Sequence, residues 1–201
     1  MVDNPVVDHE DWLEARIALL EMEKEYTRLR DRISAHRRAL PWEKVEKDYI
    51  FDGPAGRETL SDLFGECSQL AVVHFMFDPG WEEGCKSCSL AADHYDRAVP
   101  HLRARDVSLV VISKAPLFKL QAFRERMGWG FKWVSSYEND FNRDYHVSFT
   151  PEERDEGEAY YNYRKGGFPV NEAPGLSIFA KDERQAASST PIPPMRAGWN
   201  R

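Results

Sequence analysis

An apolar run from Leu70 to Phe77 gives way to a turn rich in Asp, Pro and Gly, and Cys85-Lys86-Ser87-Cys88 then opens a stretch with helical spacing. A strand, a connection and a pair of thiols at the head of a helix leave few folds open. Positions i and i+3 are neighbours on a helix, so both sulfurs lie on one face. Their Cα atoms are expected about 5–6 Å apart, inside the window a disulfide tolerates. The unpaired N–H groups and positive dipole end of a helix N-terminus favour thiolate, and Cys85 is nearer that end. Cys85 is therefore the expected nucleophile and Cys88 the resolving thiol. The dipole contributes roughly 0.3–1 kcal/mol; Lys86 adds to it, whereas Asp78, Glu82 and Glu83 oppose it.

Composition narrows the setting. At 201 residues and 42% hydrophobic content the chain can bury one core and an appended element. The 34 acidic against 27 basic side chains give a net charge of −7, which argues against nucleic-acid and anionic-membrane partners. Protein or small-molecule thiols and disulfides fit better. Asp3, Asp8, Glu10, Asp11, Glu14 and Arg16 interrupt any signal-peptide core, and the apolar run is too short to span a bilayer. The chain reads as cytoplasmic, where a C-x-x-C pair is catalytic or metal-binding rather than a permanent staple. Cys67, the odd third thiol, reads as a core or loop residue.

From Asp8 to Leu40, Trp12, Ala15, Leu19, Met22, Tyr26, Leu29, Ile33, His36 and Leu40 recur at alternating steps of three and four. That spacing predicts a long helix whose stripe is covered by the globular domain or by a dimer mate. Leu40-Pro41-Trp42 ends it. Downstream, strands are expected over 48–52, 70–77, 107–113, 131–135 and 175–180. A short helix is expected over 60–64, and longer ones from the cysteines to about Arg105 and over 117–127, the last opened by Pro116. Strand, helix, strand, helix, strand predicts parallel β–α–β crossovers. Residues 139–165 read as irregular with short helical pieces. The organisation expected is a helical extension over 1–47, an α/β domain over 48–182 and a disordered tail over 183–201.

A proline directly before the last strand, in Glu172-Ala173-Pro174-Gly175-Leu176-Ser177-Ile178-Phe179, completes a pattern that resembles the thioredoxin-like fold. More specifically, Arg38-Ala39-Leu40-Pro41-Trp42, Leu60-Ser61-Asp62-Leu63-Phe64, His74-Phe75-Met76-Phe77, Gly84-Cys85-Lys86-Ser87-Cys88-Ser89 and Asn162-Tyr163 resemble a bacterial family of unknown function usually labelled a predicted dithiol-disulfide oxidoreductase. The resemblance implies a thioredoxin-like three-layer sandwich with no cofactor and no metal. It also implies a cis Pro174 facing the dithiol, with Ala173 and Pro174 lining the substrate site. Trp81, four residues before Cys85, is a further candidate for that lining, its alternative reading being a core residue beside the apolar strand. One departure stands out. Where the family returns from the Ile178 strand into a partner strand, this chain has Glu183-Arg184-Gln185-Ala186 and a small, polar, proline-bearing tail. An incomplete or divergent end of that kind would leave a sheet edge unpaired, lowering stability or inviting association.

Three other chemistries compete with disulfide exchange. A peroxidase would pass Cys85 through sulfenic acid, but peroxiredoxins place a threonine or serine before that cysteine, where Glu83 and Gly84 stand. A closed zinc site needs four ligands, and His74, His94, Asp78 or Cys67 would have to complete it. A thioredoxin-like interaction protein without activity would use the long helix for dimerisation. His74 within the strand reads as a packed residue and His94 as an exposed one.

Overall fold

The computed structural model describes residues 4–181 and, for the backbone, residues 194–197. The chain divides into two compact units, Met1–Pro41 and Trp42–Arg201. The first unit holds helix α1 (His9–Arg38), whose N-cap Asp8 accepts hydrogen bonds from the Glu10 and Asp11 N–H groups. Glu10 and Asp11 in its first turn and His36, Arg37 and Arg38 in its last complement the helix dipole. No residue of α1 is buried in the single chain.

The second unit contains β1 (Glu43–Lys44), β2 (Ile50–Gly53), β3 (Gly56–Thr59), β4 (Gln69–His74), α2 (Lys86–Arg103), β5 (Val107–Ser113), α3 (Leu117–Met127), β6 (Lys132–Ser135), α4 (Phe141–Asp144), α5 (Pro151–Asp155), β7 (Ala159–Tyr161), β8 (Arg164–Gly166), β9 (Gly175–Lys181) and β10 (Pro194–Ala197). Eight of the strands form one sheet in the order β1-β10-β9-β4-β5-β6-β2-β3, and β7 pairs with β8 separately. The centre, β4-β5-β6, is parallel, as two β–α–β crossovers require. The flanking strand β9 runs antiparallel to β4.

Alternate residues of the central strands feed two cores. Leu70, Val72, Val110 and Ile112 pack on one face with Leu63, Phe64, Phe141 and Phe179. Val73 and Val111 pack on the other with Ala92 of α2 and with Leu120 and Phe123 of α3. Because both faces of the sheet are covered, the central strands read as continuous apolar runs rather than alternating ones. The result is a three-layer α/β sandwich that follows a long helix in the chain, as the resemblance to the thioredoxin-like fold implies.

Three sequence expectations need correction. The strand expected over 70–77 ends at His74; Phe75 and Phe77 are still buried, in the core under α2 and α3, so the apolar run marked burial beyond the end of the ladder. The short helix expected over 60–64 is a single 3₁₀ turn over Asp62–Phe64. The third correction is at the C-terminal end, where β9 does not leave an unpaired edge. β10 pairs with it antiparallel, Pro194 opposite Lys181 and Ala197 opposite Ile178. Proline is compatible with the first residue of a strand, which is where Pro194 sits. The disorder expected over 183–193 and 198–201 falls outside the described residues.

Candidate active site

The end of β4 that carries the chain out of the sheet meets the start of β9, because His74 is in register with Gly175. The loop after β4 and the loop before β9 are therefore neighbours, and they bring Cys85-Lys86-Ser87-Cys88 and Ala173-Pro174 to one end of the sheet. Open α/β sheets bind ligands at such carboxyl ends.

The cysteine turn is fastened to β4. The Cys85 N–H donates to the Met76 carbonyl at 3.0 Å, and the Ser89 N–H and hydroxyl both donate to the Cys85 carbonyl at 2.9 Å. Cys85 is the N-cap of α2, and its Sγ accepts the Cys88 N–H at 3.5 Å. The sulfur thereby takes up one of the N–H groups that the start of a helix leaves without a backbone partner. Both thiols are free and half-buried. Burial pushes the Cys88 thiol up to about 12, with the neighbouring Cys85 sulfur adding to the rise and the Met76 backbone opposing it.

Gly84 explains why the chain reaches Cys85 as it does. A Cβ at this position would lie 2.6 Å from a ring carbon of Phe75 and 3.4 Å from one of Phe123. The residue directly before the candidate nucleophile has no room for a hydroxyl-bearing side chain. Of the acidic residues that threaten the thiolate, Glu83 is held by Arg126 at 2.7 Å, and Asp78 accepts the Gly80 N–H at 2.7 Å.

The remaining expected site residues separate into two groups. Pro174 is exposed beside the dithiol turn, in a trans peptide rather than the cis one implied by resemblance. Ala173 is buried among Val147, Phe149 and Ala159, and its N–H donates to the Val147 carbonyl. Trp81 is half-buried against the core beneath α2 and α3, and its carbonyl accepts the Lys119 ammonium at 2.9 Å. His74 is buried, sharing a 2.8 Å hydrogen bond with Ser177 and stacking on Phe141. His94 is exposed and Cys67 buried. Among the described residues no three His, Cys, Asp or Glu side chains cluster closely enough to hold a metal ion, and no helix is long and apolar enough to cross a membrane.

Two residues at this end are not among the site residues expected from the sequence. Tyr161, from the β7–β8 hairpin, donates its hydroxyl to the Pro174 carbonyl at 2.7 Å. Burial raises its phenol, and the nearby Cys88 raises it further. Glu172, two residues before Pro174, is buried and accepts the Ser148 hydroxyl at 2.5 Å and the Asn142 amide at 3.2 Å. Burial outweighs both hydrogen bonds and pushes its carboxyl up to about 8.

Residues 1–189 match the family model described as a bacterial protein of unknown function (DUF899). No curated protein is similar to the chain in sequence. Among solved structures, a thiol:disulfide interchange protein DsbE from Chlorobium tepidum aligns at 13% identity over 81% of this chain and 88% of its own, with a TM-score of 0.46. Peroxidoxin BcpB from Mycobacterium tuberculosis aligns at 15% identity over 79% and 86%, with a TM-score of 0.46. The bacterioferritin comigratory protein of Xanthomonas campestris aligns at 10% identity over 69% and 81%, with a TM-score of 0.47.

Proposed function

The chain belongs to the bacterial DUF899 family of unknown function, and we propose that it is a cytoplasmic dithiol-disulfide oxidoreductase acting through Cys85 and Cys88. The reading rests on the inequality of the two thiols within one helical turn. Cys85 caps the helix and receives the Cys88 N–H, while burial keeps the Cys88 thiol protonated at neutral pH. An attacking thiolate paired with a protonated resolving thiol is what ordered exchange requires.

The Cys85 thiolate attacks one sulfur of a substrate disulfide, forming a mixed disulfide and releasing the other sulfur as a thiolate. Cys88 then loses its proton to the medium or to the departing thiolate and attacks the Cys85 sulfur. The Cys85–Cys88 disulfide forms as the second substrate thiolate leaves. The substrate gains two electrons and the protein dithiol loses them; run in reverse, the same steps oxidise a dithiol substrate.

Redox titration against glutathione buffers, with thiol trapping and mass spectrometry, tests the proposal. A reversible loss of two thiols at Cys85 and Cys88, with a midpoint between roughly −270 and −120 mV, supports it. A pair that stays reduced across that range, or a Cys85→Ser variant that keeps disulfide-reductase activity, refutes it. Peroxide consumption faster than disulfide exchange would move the assignment to a thiol peroxidase.

A further inference from the structure

Helix α1 carries an apolar stripe and a sharp division of charge. Trp12, Leu19, Met22, Tyr26, Leu29 and Ile33 are between 41% and 66% exposed, and no residue of the helix is buried. Between Asp8 and Glu25 there are seven acidic and two basic side chains; between Tyr26 and Arg38 there are five arginines and one aspartate. We propose that α1 pairs two copies of this chain, antiparallel and stripe to stripe, with the acidic half of each helix against the basic half of the other.

The stripe advances by alternating steps of three and four, the spacing that seats one helix in the grooves of another. With Lys24 on the two-fold axis, Met22 meets Tyr26, Leu19 meets Leu29, Ala15 meets Ile33 and Trp12 meets His36. Small Ala15 faces branched Ile33, and the large side chains interdigitate on either side. The same register sets Glu10 and Asp11 against Arg38 and Arg37 at both ends. It makes like-charged matches of Arg16 with Arg32, of Glu23 with Glu25 and of Lys24 with its own copy at the axis; within each helix Arg16 is engaged by Glu23 and Lys24 by Glu21, both at 2.9 Å. Parallel pairing would instead set the acidic halves together and the basic halves together and would align the two helix dipoles unfavourably. An isologous two-fold contact of this kind closes on itself and stops at a dimer. In a helix of 30 residues, about 45 Å long, the two chains leave the pair at opposite ends.

Sedimentation velocity on the full chain, over a range of concentration and salt, tests this. The expected result is a monomer–dimer equilibrium that weakens with added salt. Double reversal of Arg37→Glu and Arg38→Glu should weaken the dimer at least about tenfold, because attraction at both ends becomes repulsion. Adding Glu10→Lys and Asp11→Lys to the same chain should restore it, while a parallel pair would respond to neither change. Leu19→Asp with Leu29→Asp should give a monomer whose second unit melts as before. A monomeric wild type, a dimer insensitive to the arginine reversal, or a dimer that survives the stripe variant would each overturn the proposal.

Discussion

The Tyr161 hydroxyl donates to the Pro174 carbonyl at 2.7 Å, which ties the β7–β8 hairpin to the loop beside the dithiol turn. Replacing Tyr161 by Phe removes that tie and leaves the ring in place. The variant should lose about 0.5–1.5 kcal/mol of stability, the net value of one hydrogen bond. If the hairpin lifts, Cys88, which lies near enough to the Tyr161 phenol to raise it, should alkylate faster with a small maleimide. Alkylation of Cys88 at an unchanged rate would mean that the hairpin stays down without this bond.

Glu172 predicts a specific pH dependence. Its carboxyl is pushed up to about 8 in the folded protein from an ordinary value of 4.5, chiefly by burial. A raised folded value means that folding favours the protonated acid. The stability it contributes is complete below about pH 4.5 and is lost as the pH rises through about 8. Glu172→Gln keeps an acceptor for Asn142 and offers an amide to the Ser148 hydroxyl, with no charge to bury. Above pH 8 the variant should be more stable than wild type by a few kcal/mol, at about 1.4 kcal/mol per pKa unit. The difference should shrink toward zero near pH 5. Urea midpoints at several pH values check this, and a difference that does not vary with pH would remove the buried-acid account.

What the sequence disclosed follows from how local each cause is. The strand Val107–Ser113 and the helix Leu117–Met127 were legible to the residue, because an uninterrupted apolar run, Pro116 before the helix and Gly128 in the left-handed conformation after it act within a few positions. The dithiol turn was legible for the same reason. Glu172 was not, since an acidic residue in a loop-like segment is buried only through Ser148 and Asn142, both far away in sequence. Tyr161 lay in a segment that read as irregular, and its role depends on the non-local approach of Pro174. The strand Pro194–Ala197 was hidden by a composition of prolines and small residues, although pairing with β9 needs only backbone groups.

Gly84 should tolerate no side chain. The Cβ of Gly84→Ala would lie 2.6 Å from the Phe75 ring, and Phe75 is fixed among Phe123, Trp129 and Trp133, so it cannot withdraw freely. Overpacking of this kind costs about 1–3 kcal/mol. Relief comes most readily by moving the cysteine turn, which would lengthen the contact between the Cys88 N–H and Cys85 Sγ. The variant should therefore lose both stability and Cys85 thiolate reactivity, read by iodoacetamide labelling against pH. A destabilised variant with unaltered Cys85 labelling would show that the core, rather than the turn, absorbs the clash.

The division of labour between the two thiols gives the last prediction. Cys88→Ser removes the resolving sulfur and leaves a side chain able to occupy nearly the same space, so the Cys85 thiolate still attacks but the second exchange cannot occur. With a disulfide substrate in excess, this variant should accumulate a mixed disulfide at Cys85 and release one thiol per protein rather than completing a cycle. Cys85→Ser should form no mixed disulfide, because burial, the largest cause of the rise in the Cys88 thiol, remains when Cys85 is replaced and leaves little thiolate at neutral pH. Raising the pH from 7 to 9 should increase the residual labelling of Cys88 about tenfold per unit, as for any thiol still far below its pKa. Intact mass spectrometry distinguishes the adducts directly. A mixed disulfide found at Cys88 in the Cys85→Ser variant at neutral pH, formed as fast as the Cys85 adduct, would reverse the assignment of attacking and resolving thiols.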